Sequence, residues 1–120
     1  MNIQQTLDEL KSRPDFSENV GMTLIHNGTV RAWSRSDRST VSAIEVQPDY
    51  ERIEEIRQEF LQSDGIYDII IEAKSGTLSP GDDLLYLIVA GDIREHVKPV
   101  LAELLDRIKA EAVSKKEIIR

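Results

Sequence analysis

Five basic side chains hold most of the chemistry open to this sequence: Arg31, Arg94, Lys109, Lys115 and Lys116. Lys109 follows Leu101 and Leu105 at steps of four, on the edge of an apolar stripe. That stripe (Ile93, Val97, Val100, Leu101, Leu104, Leu105, Ile108) has helical spacing and must face a core. A lysine at its edge lays its stem on apolar surface and carries a partly desolvated ammonium, which makes Lys109 the first candidate for chemistry. Arg94 falls in the first turn of the same helix, where a cation opposes the helix dipole unless an anion compensates it. With the free amides of that helix start it could form an anion site. Arg31 follows the glycine-containing stretch Asn27-Gly28-Thr29-Val30, and Lys115-Lys116 lie just beyond Lys109. Read singly, each is a surface charge. Read together in an acidic protein, they are a set of groups that could hold an anion.

Other chemistries find little support. The chain has no cysteine, which removes disulfides, thiolate nucleophiles and thiolate zinc sites together. His26 and His96 are far apart with no ligand spacing around them, so neither a metal site nor a resident cofactor is expected. No glycine-rich phosphate loop is present, and no Ser/His/acid set has local support. Glu51, Glu54, Glu55 and Glu59 line the solvated face of a helix rather than form a carboxylate pair. A net charge of −7 over 120 residues argues against a general nucleic-acid binder. No apolar run approaches the roughly 20 residues that span a bilayer, and the polar N-terminus lacks a signal-peptide core, so a cytoplasmic, membrane-free protein is expected.

The elements that must position the basic groups can be read in order. Ile3, Leu7 and Leu10 mark a short helix ending before Pro14, followed by a loop over Asp15 to Asn19. Met22 to His26 and Thr29 to Trp33 are extended around Asn27-Gly28, either as a hairpin or as one long strand with a bulge. Arg31 to Thr40 is a serine-rich basic loop. Val41 to Val46 alternates as a strand, and Tyr50 to Gln62 is a helix with Ile53, Ile56, Phe60 and Leu61 inward. Ile66 to Glu72 is a strand, Leu78 a short extended piece between turns, and Leu84 to Ala90 a strand buried on both faces. Asp92 and Glu95 fit a capping box before the long helix, in which Pro99 should cause a kink or mark the start of regular structure. Ser114 to Arg120 reads as a polar, basic tail. The whole is expected to be one α+β domain over residues 1–120, a mostly antiparallel sheet with flanking helices.

Taken in order and spacing, these pieces resemble the large, catalytic subunit of molybdopterin synthase. The likeness covers most of the chain from Gly21 to Glu117. It rests on Gly28-Thr29-Val30-Arg31, Gly76 with Leu78 and Pro80-Gly81-Asp82, Arg94, Lys109 and Lys115-Lys116-Glu117. The resemblance implies a hammerhead-like fold and a homodimer carrying a small ubiquitin-like sulfur-carrier subunit at each end. It implies sulfur transfer from that subunit's Gly-Gly thiocarboxylate to cyclic pyranopterin monophosphate, a phosphorylated pterin, forming molybdopterin. It also implies roles: Lys109 as the essential lysine, Lys115 or Lys116 as the second, Arg31 as the pocket arginine and Arg94 as a substrate-phosphate contact. The chain departs from the family pattern at Ile93, where the family has histidine before the arginine, and at His26, where it has phenylalanine. Between Lys109 and Lys115 it lacks a Pro-x-Trp and is one residue short. Three readings follow: a divergent synthase, an inactive relative that binds a Gly-Gly-tailed partner, or a small acidic dimerising domain with an unrelated ligand.

Overall fold

Residues 84–90 do form the buried strand that the apolar run predicts, at the centre of the larger of two sheets. The computed structural model describes residues 1–120. The elements run α1 (Ile3–Lys11), α2 (Phe16–Asn19), β1 (Met22–Thr29), β2 (Val41–Pro48), α3 (Tyr50–Leu61), β3 (Ile66–Ala73), β4 (Gly76–Leu78), β5 (Asp83–Gly91), α4 (Arg94–Glu111) and β6 (Val113–Ile119). One sheet has the order β1-β5-β3 and the other β4-β2-β6, with every pair antiparallel. The fold is therefore α+β, as expected, with the strands divided between two sheets. No helix is long and apolar enough to cross a membrane.

The main core lies between the first sheet and helices α3 and α4. Leu85, Leu87 and Val89 on one face of β5 meet Ile53, Ile56 and Phe60 of α3 and Val97, Leu104 and Ile108 of α4. Leu87, Val89, Leu104 and Ile108 are fully buried, and each such side chain contributes about 1.5–3 kcal/mol relative to an exposed one. A smaller cluster of Val30, Val41, Ile44 and Val46 underlies the second sheet. Leu84 and Val113 pack against both clusters and so join the two sheets.

Local chemistry explains most boundaries. Asp49 caps α3 by accepting from the amide of Arg52 at 3.0 Å. Asn27-Gly28 sits inside a single strand, with a register shift between Gly28 and Thr29. The residue left without a partner there is Leu84 on β5, so Asn27-Gly28 is neither a hairpin turn nor itself the bulge, and Gly28 pairs regularly with Leu85.

Four local expectations are corrected. Phe16–Asn19 is one helical turn rather than loop. Asp92 does not cap α4: the N-cap is Ile93, and Asp92 Oδ1 instead accepts from the Ile93 amide at 2.7 Å and lies 2.8 Å from His96 Nδ1. Pro99 does not mark the start of regular structure: it falls in the second turn of α4, which runs from Arg94 to Glu111. The polar tail is strand β6, because β2 offers it a full antiparallel ladder from Pro48↔Val113 to Val41↔Ile119. A backbone ladder is indifferent to side-chain polarity, which is why composition concealed it.

Candidate anion-binding cavity

Where the two sheets meet, a cavity of about 290 Å³ opens. Its floor is apolar (Val30, Ile44, Leu84, Leu85), and its polar wall includes Arg31, Lys109, Lys115, His26, Thr29 and Glu117. Each cation arrives on a different element. Val30 is buried and its backbone is tied to the turn before β5, its amide donating to Asp82 O at 2.9 Å and its carbonyl accepting from Gly81 N at 2.8 Å. Arg31 is thereby launched from a fixed point. Its guanidinium carbon lies 4.9 Å from the centroid of the Trp33 ring, which also carries Arg38 at 4.3 Å; such stacking is worth about 0.5–1 kcal/mol at an exposed site. Lys109 follows the buried Ile108 in the last turn of α4. Lys115 belongs to β6, opposite Val46 of β2.

None of these three cations has a carboxylate partner, although acids outnumber bases by 22 to 15. Their electrostatics differ from the sequence reading in one respect. Lys109 is exposed at the cavity's lip, and the desolvated lysine is Lys115. Lys115 is also exposed by residue area, yet the protein gathered around its ammonium pushes its pKa below the ordinary lysine value. Repulsion from Lys109 and Arg31 adds to that burial effect, and Glu117 opposes it. Glu117 is itself held, accepting from the buried Ser34 hydroxyl at 2.9 Å.

A folded-state lysine pKa below the unfolded value of 10.5 is destabilising while the ammonium is charged and is relieved as pH rises through the lowered value. Lys115→Met is therefore expected to melt higher than the wild type at pH 7. The gap should narrow as pH climbs toward 10.5, which paired thermal melts over that range would check.

His26 completes the wall. It faces α4 with Leu24 and Met22, two and four residues earlier on β1, which pack against the main core. Its Nε2 is buried with no hydrogen-bond partner, an arrangement that costs about 1–3 kcal/mol. Burial, and secondarily the charge of Lys109, lowers its pKa. Its ring needs Gly28: a Cβ there would stand 3.0 Å from Nε2.

The structure thus brings together Arg31, Lys109 and Lys115, and leaves two predicted residues apart from them. Lys116 points to the opposite face of β6, paired with Glu45 in the ladder. Strand alternation separates the two lysines and puts Lys115 and Glu117 on the cavity side. Arg94 begins α4 and Lys109 nearly ends it, about 22 Å apart along the axis at 1.5 Å per residue. Arg94 borders a different groove, with Gly21, Met22, Leu24, Ile93 and Lys98, and pairs only with its neighbour Glu95 at 3.4 Å. His26 and Glu117 were not picked out as site residues. The signal was present in the two-residue steps His26–Gly28 and Lys115–Glu117, and reading it required knowing that both segments are strands.

Fold and cavity together define an α+β protein with a cationic pocket at a sheet junction, suited to a small anionic ligand. The family model described as MoaE protein matches residues 1–111, and the chain belongs to that family, as a divergent member. Its role accordingly lies in molybdenum cofactor biosynthesis. No curated protein matches the chain. Among solved structures, molybdopterin synthase from Staphylococcus aureus is similar at 18% identity and a TM-score of 0.80, covering 100% of this chain and 86% of that one. Molybdopterin cofactor biosynthesis protein E from Burkholderia multivorans is 23% identical at a TM-score of 0.76, covering 100% and 82%. A complex of subunits 1 and 2 of molybdopterin-converting factor from Helicobacter pylori gives 13% and 0.72, covering 100% and 80%. At these identities the structural likeness speaks for the fold.

Proposed function

We propose that this chain is the large subunit of a molybdopterin synthase, transferring sulfur from a thiocarboxylated small ubiquitin-like subunit to cyclic pyranopterin monophosphate. The observation that carries the reading is the convergence of Arg31, Lys109 and Lys115, all without carboxylate partners, on one cavity. Arg31 engages the pterin phosphate through its planar fork of donors. Lys109, at the lip, meets the incoming thiocarboxylate and stabilises the oxyanion that develops at its carbonyl. Lys115, with its lowered pKa, releases and recovers a proton more readily than an ordinary lysine and serves as the acid–base group. Sulfur arrives on the partner, so a chain without cysteine is adequate. The two-subunit nature of the Helicobacter pylori complex supports such a partner here.

In this reading the chain works in the cytoplasm as one domain and pairs with a second copy. Arg94 lies too far along α4 to serve its own cavity, so its contact with a substrate phosphate requires the cavity of that second copy. A binding module without turnover is the other reading, favoured by one observation: Ile93, 49% exposed, precedes Arg94 where the family pattern has a histidine. Incubation with a thiocarboxylated small subunit and cyclic pyranopterin monophosphate separates the two. Molybdopterin formation is the expected result. Tight binding of the small subunit with no product would establish the second reading instead.

A further inference from the structure

The cavity wall is unbalanced in its hydrogen-bonding capacity. Arg31, Lys109 and Lys115 can only donate. Acceptors are scarcer, and one of them, Glu117 Oε1, is already engaged by Ser34. A ligand whose anionic end rests on the cations and whose remaining surface carries N–H or O–H groups needs acceptors elsewhere in the wall. His26 stands at that place with a buried Nε2 that nothing in the protein satisfies. The position faces the core side of β1, opposite Leu87 in the ladder, where an apolar ring would cost nothing. Lys109 of α4 is the charged group whose field reaches the imidazole, and it opposes a second positive charge there. Gly28 keeps that edge from being pressed by a side chain, since any Cβ would come to 3.0 Å of Nε2.

We propose that His26 is a further ligand-contacting residue of this cavity, its Nε2 accepting a hydrogen bond from an N–H or O–H donor of the molecule whose anionic group lies on Arg31, Lys109 and Lys115. The inference rests on the proposed function for the identity of that molecule, a phosphorylated, donor-rich heterocycle. It adds a recognition element for the ring to the recognition of the phosphate. The wall then discriminates between a bare anion and an anion attached to a donor-bearing ring.

The test is a pair of titrations on the wild-type chain, followed through the imidazole nitrogens of His26 and the lysine ammonium signals by NMR. Inorganic phosphate should shift Lys109 and Lys115 and leave Nε2 nearly unmoved. Cyclic pyranopterin monophosphate should shift all three, with Nε2 moving in the direction of an accepted hydrogen bond. His26→Phe should bind the pterin about tenfold more weakly, the equivalent of one ordinary hydrogen bond, with phosphate affinity unchanged. His26→Gln, which restores an acceptor, should recover part of the loss. If the pterin shifts the lysines but not Nε2, and His26→Phe binds it as tightly as the wild type, His26 is only a wall residue and the proposed function stands without it. If neither ligand moves any of these signals, the cavity is not an anion site and both inferences fall.

Discussion

Lys109→Ala is expected to lower molybdopterin formation by about 10²-fold or more, the scale found when one oxyanion-stabilising group is removed. Binding of the small subunit and the melting temperature should change little. Lys109 is exposed and engaged in no ion pair, so its loss removes a charge from the cavity's lip without opening the core. The same substitution relieves repulsion on Lys115 and His26, which both feel the Lys109 charge. Their pKa values should therefore rise toward the ordinary lysine and histidine ranges. A single-turnover assay with pre-formed thiocarboxylate, run beside an NMR titration of Lys115, reads both consequences. Lys116→Ala is the control: on the far face of β6, it should leave turnover nearly untouched.

Ile108→Ala is expected to be the more damaging change to the fold. Ile108 is fully buried beside Leu104 in the main core. Truncating such a side chain costs about 2–5 kcal/mol, through lost transfer energy and the hole left behind. Against a total stability of about 5–15 kcal/mol for an ordinary domain, that is a large fraction. Urea unfolding should show a lower midpoint with an unchanged slope. Activity should fall as well, because Ile108 anchors the last turn of α4 and so sets where Lys109 emerges. An unchanged midpoint would mean that the end of α4 is not held by this packing.

The contrast between these two neighbours shows what the sequence made legible. The apolar stripe of α4 and the run of β5 were readable because burial is periodic, and both elements occur where the pattern places them. Arg31 and Lys109 were readable as candidates because their types and spacing resembled a known arrangement, and they do border one cavity. The choice between Lys115 and Lys116 was not readable. It depends on β6 pairing with β2, a contact between segments far apart in the chain, and on the alternation that pairing imposes. His26 was overlooked for a similar reason: a lone histidine has no local signature, and its importance comes from α4 bringing Lys109 over β1. The desolvation assigned to Lys109 belongs instead to Lys115, because helical periodicity places a residue on an edge without saying what covers that edge.

The pH dependence of stability carries a further mark of the cavity. A folded-state imidazole pKa below the ordinary 6.5 contributes stability that is complete above that value. The contribution is lost as pH falls through the lowered one. His26→Phe should therefore flatten the fall in stability on the acid side of 6.5, as measured by urea midpoints across that window.

In the proposed function, Arg31, Lys109 and Lys115 share one ligand. The most direct measurement is an NMR titration of the lysine ammonium groups with cyclic pyranopterin monophosphate. Lys109 and Lys115 should shift together with a single affinity, abolished by Arg31→Ala, while Lys98 and Lys116 stay still. Shifts at Lys98 or Lys116 with Lys109 and Lys115 silent would place the ligand elsewhere and contradict the account.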